Sequence, residues 1–223
     1  MFRKLTMLVL VVASFAGGTC AAPTTSLPIR SLTVLGDSFS DQGNLFAATS
    51  FLGAGVGLPG LPDAQHYFHG RFSNGPNYVD FLAEKCGFAM TPSIGGGSNF
   101  AYGGARTAYN IVELPSPPSF PGYPVDAFPW ALDHETEAFL DQAPAKAADP
   151  TALFVVFSGA NDRSDVFSLQ HDPAPTIATT VEGIRQAILG FRAAGGRTVL
   201  VPNLPNLGVI PLVTRNGPRV SLA

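Results

Sequence analysis

Leu153-Phe154-Val155-Val156-Phe157 runs directly into Ser158-Gly159-Ala160-Asn161-Asp162. Five consecutive apolar residues offer no polar face to water, as expected for a strand buried on both sides of a parallel sheet. Leu32-Thr33-Val34-Leu35, followed by Gly36-Asp37-Ser38, reads as a second such strand, and Thr198 to Val201 as another. Between the last two lies Ile177 to Ala194, with Val181, Ile184, Ile188 and Phe191 on one face at helical spacing. That spacing predicts an amphipathic helix, ending at Gly195-Gly196. Strand, helix and strand at these intervals define an α/β domain with a parallel sheet.

Outward from this frame, Gln42 to Leu52 has helical character, and Asn77 to Cys86 places Tyr78, Phe81 and Leu82 on one helical face. Ala131 to Gln142 reads as a helix closed by Pro144. Gly53 to Pro62 and Gly95-Gly96-Gly97 are loops, and Pro115 to Pro129, rich in proline and aromatics, is a surface excursion. Gly55-Val56-Gly57-Leu58-Pro59-Gly60 formally matches a dinucleotide-binding pattern. No strand precedes it and Pro59 opposes a following helix, so that reading is set aside. Asn203 to Ala223 offers loop and at most one short element.

The chain of 223 residues suits one domain, and 46% hydrophobic residues are enough for a sizeable core. A net charge of −3, without a basic stripe, argues against nucleic acid, and 13% charged residues argue against a disordered chain. Arg3 and Lys4, the apolar stretch Leu5 to Ala16 and the small residues Gly17 to Ala22 read as a signal peptide over 1–22. The apolar stretch is short for a membrane span, so a secreted or periplasmic protein is expected, with lipid attachment at Cys20 as the alternative. A linker over 23–30 and a single domain over 31–223 would follow. Cleavage before Ala22 or Pro23 leaves Cys86 alone, with no intrachain disulfide.

Ser38, at the end of a strand, can present its hydroxyl at the rim of the sheet, or Asp37 and Ser38 can merely cap the next helix. As a nucleophile the serine needs a base to take its proton. Two further segments bear on the choice. Gly95 to Thr107 carries the pair Gly103-Gly104, where a backbone N–H can closely approach a ligand. Asn161, at the end of the most apolar strand, can aim its amide at a developing oxyanion, or with Asp162 cap a helix.

In this order the segments resemble the GDSL esterase/lipase family of the SGNH hydrolases. Gly36-Asp37-Ser38 with Ser40-Asp41-Gln42-Gly43-Asn44 matches its first block. Phe72-Ser73-Asn74-Gly75-Pro76 and Asn99-Phe100-Ala101-Tyr102-Gly103-Gly104-Ala105 match the second, and Gly159-Ala160-Asn161-Asp162 the third. Val201-Pro202-Asn203-Leu204-Pro205 resembles a segment of its larger members. The resemblance implies a flavodoxin-like three-layer α/β/α sandwich with a mostly parallel sheet and its site at the carboxyl ends of the strands. It implies Ser38 as nucleophile. The oxyanion donors would be the Ser38 N–H, the N–H of Gly104 or Gly103, and the Asn161 side chain. The reaction would be acyl transfer from a small-molecule, lipid or glycan ester, without metal or organic cofactor.

The family's base lies in a late Asp-x-x-His block, whereas here no histidine follows His171. The expectation is a chain truncated at its C-terminus, with little or no activity by itself. A non-catalytic ligand-binding remnant of the fold is the alternative. Asp63-Ala64-Gln65-His66 is formally Asp-x-x-His but lies between the first two blocks, on an aromatic loop with Tyr67, Phe68 and His69. That loop reads as a pocket mouth. Zinc binding by His66 and His69 lacks a third ligand. His134 reads as a solvated helix position and His171 as loop.

Overall fold

The computed structural model describes residues 8–10, 29–55, 57–108, 131–142, 151–168 and 172–207. Most of the expected signal peptide and linker, the excursion at 115–129, Pro144, His171 and residues 208–223 lie outside these. In chain order the elements are β1 (Leu8–Leu10), β2 (Ser31–Gly36), α1 (Asn44–Gly53), α2 (Tyr78–Cys86), a 3-10 turn (Ser93–Gly95) and α3 (Leu132–Gln142). They continue with β3 (Ala152–Phe157), α4 (Ala160–Ser168), α5 (Pro173–Ala193) and β4 (Thr198–Leu200).

The strands form one sheet in the order β1-β4-β3-β2, and every pairing is parallel. β1 falls inside the segment expected to direct export. Register places Gly36 opposite Phe157, so β2 and β3 end side by side. Residues 98–102 run along the outer edge of β2. The Val34 N–H donates to Ser98 O at 3.0 Å, and the Phe100 N–H to Val34 O at 2.7 Å. Three carboxyl ends, those of 98–102, β2 and β3, therefore open onto one rim.

The apolar run that announced β3 is buried from Leu153 to Val156, with Phe157 half-buried at its end, and its alternation divides two cores. Phe154 and Val156 pack with Leu35, Leu132, Phe139, Ala187 and Phe191 under α3 and α5. Leu153 and Val155 pack with Leu32, Val34, Val79 and Ala83 under α2. Helices on both faces of a parallel sheet make the flavodoxin-like α/β/α arrangement implied by the resemblance. In the first core the rings of Phe139, Phe154 and Phe191 meet pairwise, with Phe154 and Phe191 4.5 Å apart at their centroids. A smaller cluster of Leu45, Ala48, Tyr102 and Ala105, with Leu58, Leu61 and Phe72, fixes α1 against the glycine turn.

Two helices turn most of their expected apolar face to the core and leave one residue of it in solvent. On α5 Ile184, Ile188 and Phe191 pack on the main core as expected, with Ala187 buried beside them, while Val181 is 59% exposed. The helix begins at Pro173, four residues before the expected start, and its first turns are mostly exposed. On α2 Tyr78 and Leu82 pack against the second core beside the buried Val79 and Ala83, while Phe81 faces solvent. The glycine loop at 53–62 packs against α1: a Cβ on Gly60 would lie 2.1 Å from Ser50 Oγ. No strand leads into it, as expected. Among the described residues no helix is long and apolar enough to cross a membrane.

Candidate active site

Ser38 sits in the turn just after β2, half-buried, on a fully buried Asp37. The turn is tight because Gly36 takes φ 149°, and a Cβ there would lie 2.1 Å from Phe157 O. Only glycine fits between the two strand ends. Phe39 stacks on Phe157 with centroids 5.2 Å apart, and Tyr78 meets Phe157 edge-on. The Tyr78 hydroxyl lies 2.8 Å from Ser40 Oγ, so aromatic and hydroxyl contacts brace the turn on the side away from the helix α3.

Asp41 is the residue around which the first block is organised. It is fully buried and accepts four backbone N–H groups. Those of Gly43 and Asn44 reach Oδ1 at 2.7 Å each, and those of Leu45 and Gly103 reach Oδ2 at 3.3 and 2.8 Å. One carboxylate thus satisfies the first turn of α1 and anchors the glycine turn. Asn44 donates to the carbonyls of Asn99 and Ala101, and Asn99 donates to Ser40 O and Gln42 Oε1. Gln42 donates to Asp80, which also accepts from Nε and Nη2 of Arg71. The first two blocks are therefore a single hydrogen-bonded network.

The third block closes the site from the β3 side. The Asn161 amide donates to Ala105 O at 2.7 Å, which leaves its second amide hydrogen free of that bond. Asp162 does more than begin a helix: both its oxygens accept the Thr107 N–H, and Oδ1 accepts the Thr107 hydroxyl at 2.6 Å. Asp165 holds Arg106 through two bonds, and Arg106 reaches Gly104 O at 3.3 Å. The start of α4 thus grips residues 104–107 one after another.

The expected site residues take distinct positions in this frame. Ser38, Gly104 and Asn161 are each partly exposed at the rim, beside buried Asp37, Gly103 and Asp162. The Gly103 N–H is committed to Asp41, and a Cβ on Gly103 would lie 2.1 Å from the Phe72 ring. Among the described residues neither the Ser38 N–H nor the Gly104 N–H donates a hydrogen bond, and the Ser38 hydroxyl makes none. His66 instead pairs with Asp63, Nδ1 to Oδ2 at 2.6 Å, with its ring 75% exposed. His134 lies beside Asp133 on α3.

Buried carboxyls surround the turn. Burial lifts Asp37 from its ordinary 3.8 to about 7, against the N–H groups of Phe39 and Ala160, which favour the anion. Asp41 is lifted to about 6, again by burial, although its four N–H donors pull the other way. Glu135, in the first turn of α3, is also raised, by burial first and then by the nearby Asp37 and Asp41. Neither Asp41 nor Glu135 is among the site residues expected from the sequence. The signal was present for Glu135: Leu132, Glu135 and Phe139 share one helical face, so this acid rides on the apolar side of α3. A cavity of about 750 Å³ between α3 and α5 is lined by Thr136, Leu140, Gly183 and Ala187, and none of Ser38, Gly104 and Asn161 lines it. Among the described residues no three His, Cys, Asp or Glu side chains converge as a metal site.

Fold and site together define an α/β/α protein whose chemically equipped turns gather at the carboxyl ends of a parallel sheet. The chain belongs to the GDSL-like Lipase/Acylhydrolase family, whose profile it matches over residues 32–222. Among its relatives is a GDSL esterase/lipase of Arabidopsis thaliana, 28% identical over 93% of this chain and 58% of the relative. Acetylajmalan esterase 2 of Rauvolfia serpentina is 28% identical over 82% of this chain and 55% of its own length. A phosphatidylcholine-sterol acyltransferase of Aeromonas hydrophila is 26% identical over 81% of this chain and 46% of its own. The chain spans about half the length of the curated relatives it matches.

Proposed function

We propose that this chain carries the nucleophile and oxyanion hole of a GDSL-type carboxylic-ester hydrolase. Ser38 Oγ attacks the ester carbonyl and gives its proton to a base. The carbonyl oxygen, now negative, is received by the N–H groups of Ser38 and Gly104 and by the free hydrogen of the Asn161 amide. Collapse of the tetrahedral species expels the protonated alcohol and leaves an acyl group on Ser38. Water then releases the acid and restores the serine. The observation that carries this reading is the division of labour at Gly103-Gly104: one N–H is used to build the turn and the next is left unpaired at the rim.

The base is not assigned to a histidine of this chain. His66 is spent on Asp63 in the open, and the Asp-x-x-His block expected for the family has no counterpart after His171. Reading the coding sequence past Ala223 tests whether such a block follows. The full gene product should release nitrophenol from short acyl esters, and Ser38→Ala should abolish that release. Undiminished hydrolysis by the variant would remove Ser38 from the mechanism. A neutral small-molecule, lipid or glycan ester is the substrate class, and export through residues 1–22 is the route, checked by sequencing the N-terminus of the secreted product.

A second reading, a ligand-binding module that keeps the fold without turnover, is favoured by one observation. The Ser38 hydroxyl makes no hydrogen bond to any base among the described residues. Ester hydrolysis by the full gene product that depends on Ser38 would dismiss it.

A further inference from the structure

Glu135 is 1% exposed, in the first turn of α3, between Leu132 and Phe139 of the main core. No cation compensates it among the described residues, where Arg71 and Arg106 are taken by Asp80 and Asp165. Burying a carboxyl in such a place is costly unless its oxygens are used, and leucine would fill the space without that cost. Both oxygens are used. Oε2 accepts the Gly36 N–H at 2.7 Å, and Oε1 accepts the Tyr102 N–H at 3.2 Å. Gly36 lies two residues before Ser38, and Tyr102 two residues before Gly104. Those two N–H groups belong to segments far apart in the chain, and a third segment holds both. The Tyr102 N–H is shared with Gly36 O at 3.1 Å, so the two turns also touch directly at this point. The unfavourable surroundings of the carboxyl, with burial and two further acids raising its proton affinity, mark the group as retained against a stability cost.

We propose that Glu135 is a positioning residue for the oxyanion hole. By clamping the Gly36 and Tyr102 N–H groups it fixes the separation between the nucleophile turn and the glycine turn. It touches neither substrate nor the reacting atoms. The inference rests on the reading of Ser38 and Gly104 given above, and it extends that site to a helix that lies outside the three sequence blocks.

The test is Glu135→Gln, which keeps the shape but presents an amide NH2 to one of the two N–H groups. Hydrogen exchange followed by mass spectrometry should show peptides covering 36–40 and 102–107 opening together, about tenfold faster for one hydrogen bond lost. Peptides of α5 should keep wild-type protection. Even acceleration along the whole chain would mean a merely structural role and overturn the proposal. In the full gene product, the maximal rate of fluorophosphonate attachment to Ser38 should fall roughly a hundredfold, as expected for a displacement near 1 Å. The probe's reversible affinity should stay within about threefold, and Arg185→Ala, on the exposed face of α5, should behave as wild type. An unchanged rate in folded Glu135→Gln overturns the proposal. Should the variant not fold, the wild-type protein decides: the Gly36 and Tyr102 amides must exchange in one opening event with equal protection, and unequal protection refutes the clamp. Labelling that persists in Ser38→Ala would instead sink the assignment of the nucleophile, which the exchange experiment does not depend on.

Discussion

The backbone N–H of Gly103 ends on Oδ2 of Asp41 at 2.8 Å, so the donor left at the rim is that of Gly104. The same carboxylate satisfies three N–H groups at the start of α1. Replacing Asp41 by alanine strands four buried donors at once. With hydrogen bonds to a charged group contributing about 1.5–3 kcal/mol each, Asp41→Ala should cost at least about 3 kcal/mol. Urea unfolding measures it, and a loss under about 1 kcal/mol would mean that the network is dispensable.

Gly36 offers a sharper steric test. Alanine there must both adopt φ 149° and place its Cβ 2.1 Å from Phe157 O, so β2 and β3 cannot stay in register. Gly36→Ala should lose more than about 3 kcal/mol. Gly75→Ala, where a Cβ meets nothing within 4 Å, should stay within about 0.5 kcal/mol. Equal stability of the two variants would refute the strand-end geometry.

The buried acids set the pH dependence of folding. The folded chain holds protons on Asp37 up to about pH 7 and on Asp41 up to about pH 6, whereas the unfolded chain releases both near 3.8. Between these limits the folded state binds more protons, so stability falls as pH rises from about 4 to about 7. For Asp37 the change is on the order of 4 kcal/mol across the window. The Arg71 guanidinium lowers Asp80, whose contribution is lost only as pH falls below the ordinary carboxyl range, outside this window. Urea midpoints at pH 5 and 7.5 should show the decline, and Asp37→Asn should lessen it while the part due to Asp41 remains. A midpoint that rises over this range would contradict the assignment.

Much of this was legible in the sequence, for physical reasons. Leu153 to Val156 has no polar face, so its burial and the parallel sheet followed from the run itself. The glycine pair and Asn161 were identified through their order in the family blocks, because positions at strand ends converge once the strands are parallel. Glu135 was hidden because α3 carries acids on several faces, and only its phase relative to Leu132 and Phe139 separates it from the solvated ones. Val181 went the other way. Its helical phase is apolar and the later residues of that face pack on the core, but periodicity does not show which turn of a helix its neighbours leave uncovered. That the Gly103 N–H is committed to Asp41, leaving Gly104 as the proposed donor, came from a contact that no spacing rule contains.

Asn161 should show two losses when shortened. Asn161→Ala removes the bond to Ala105 O and, with it, the side chain we propose as an oxyanion donor. Loss of one oxyanion donor costs about 10²–10³ in rate. Hydrolysis of a nitrophenyl ester by the full gene product should fall by that factor with little change in KM. A variant with wild-type kcat would exclude the side chain from the oxyanion hole.

The most direct measurement is the site of covalent capture by a fluorophosphonate in the full gene product, read by peptide mass spectrometry. One adduct per chain on Ser38, absent in Ser38→Ala, is the predicted result. An adduct on another residue, or equal labelling of the variant, would contradict the account at its centre.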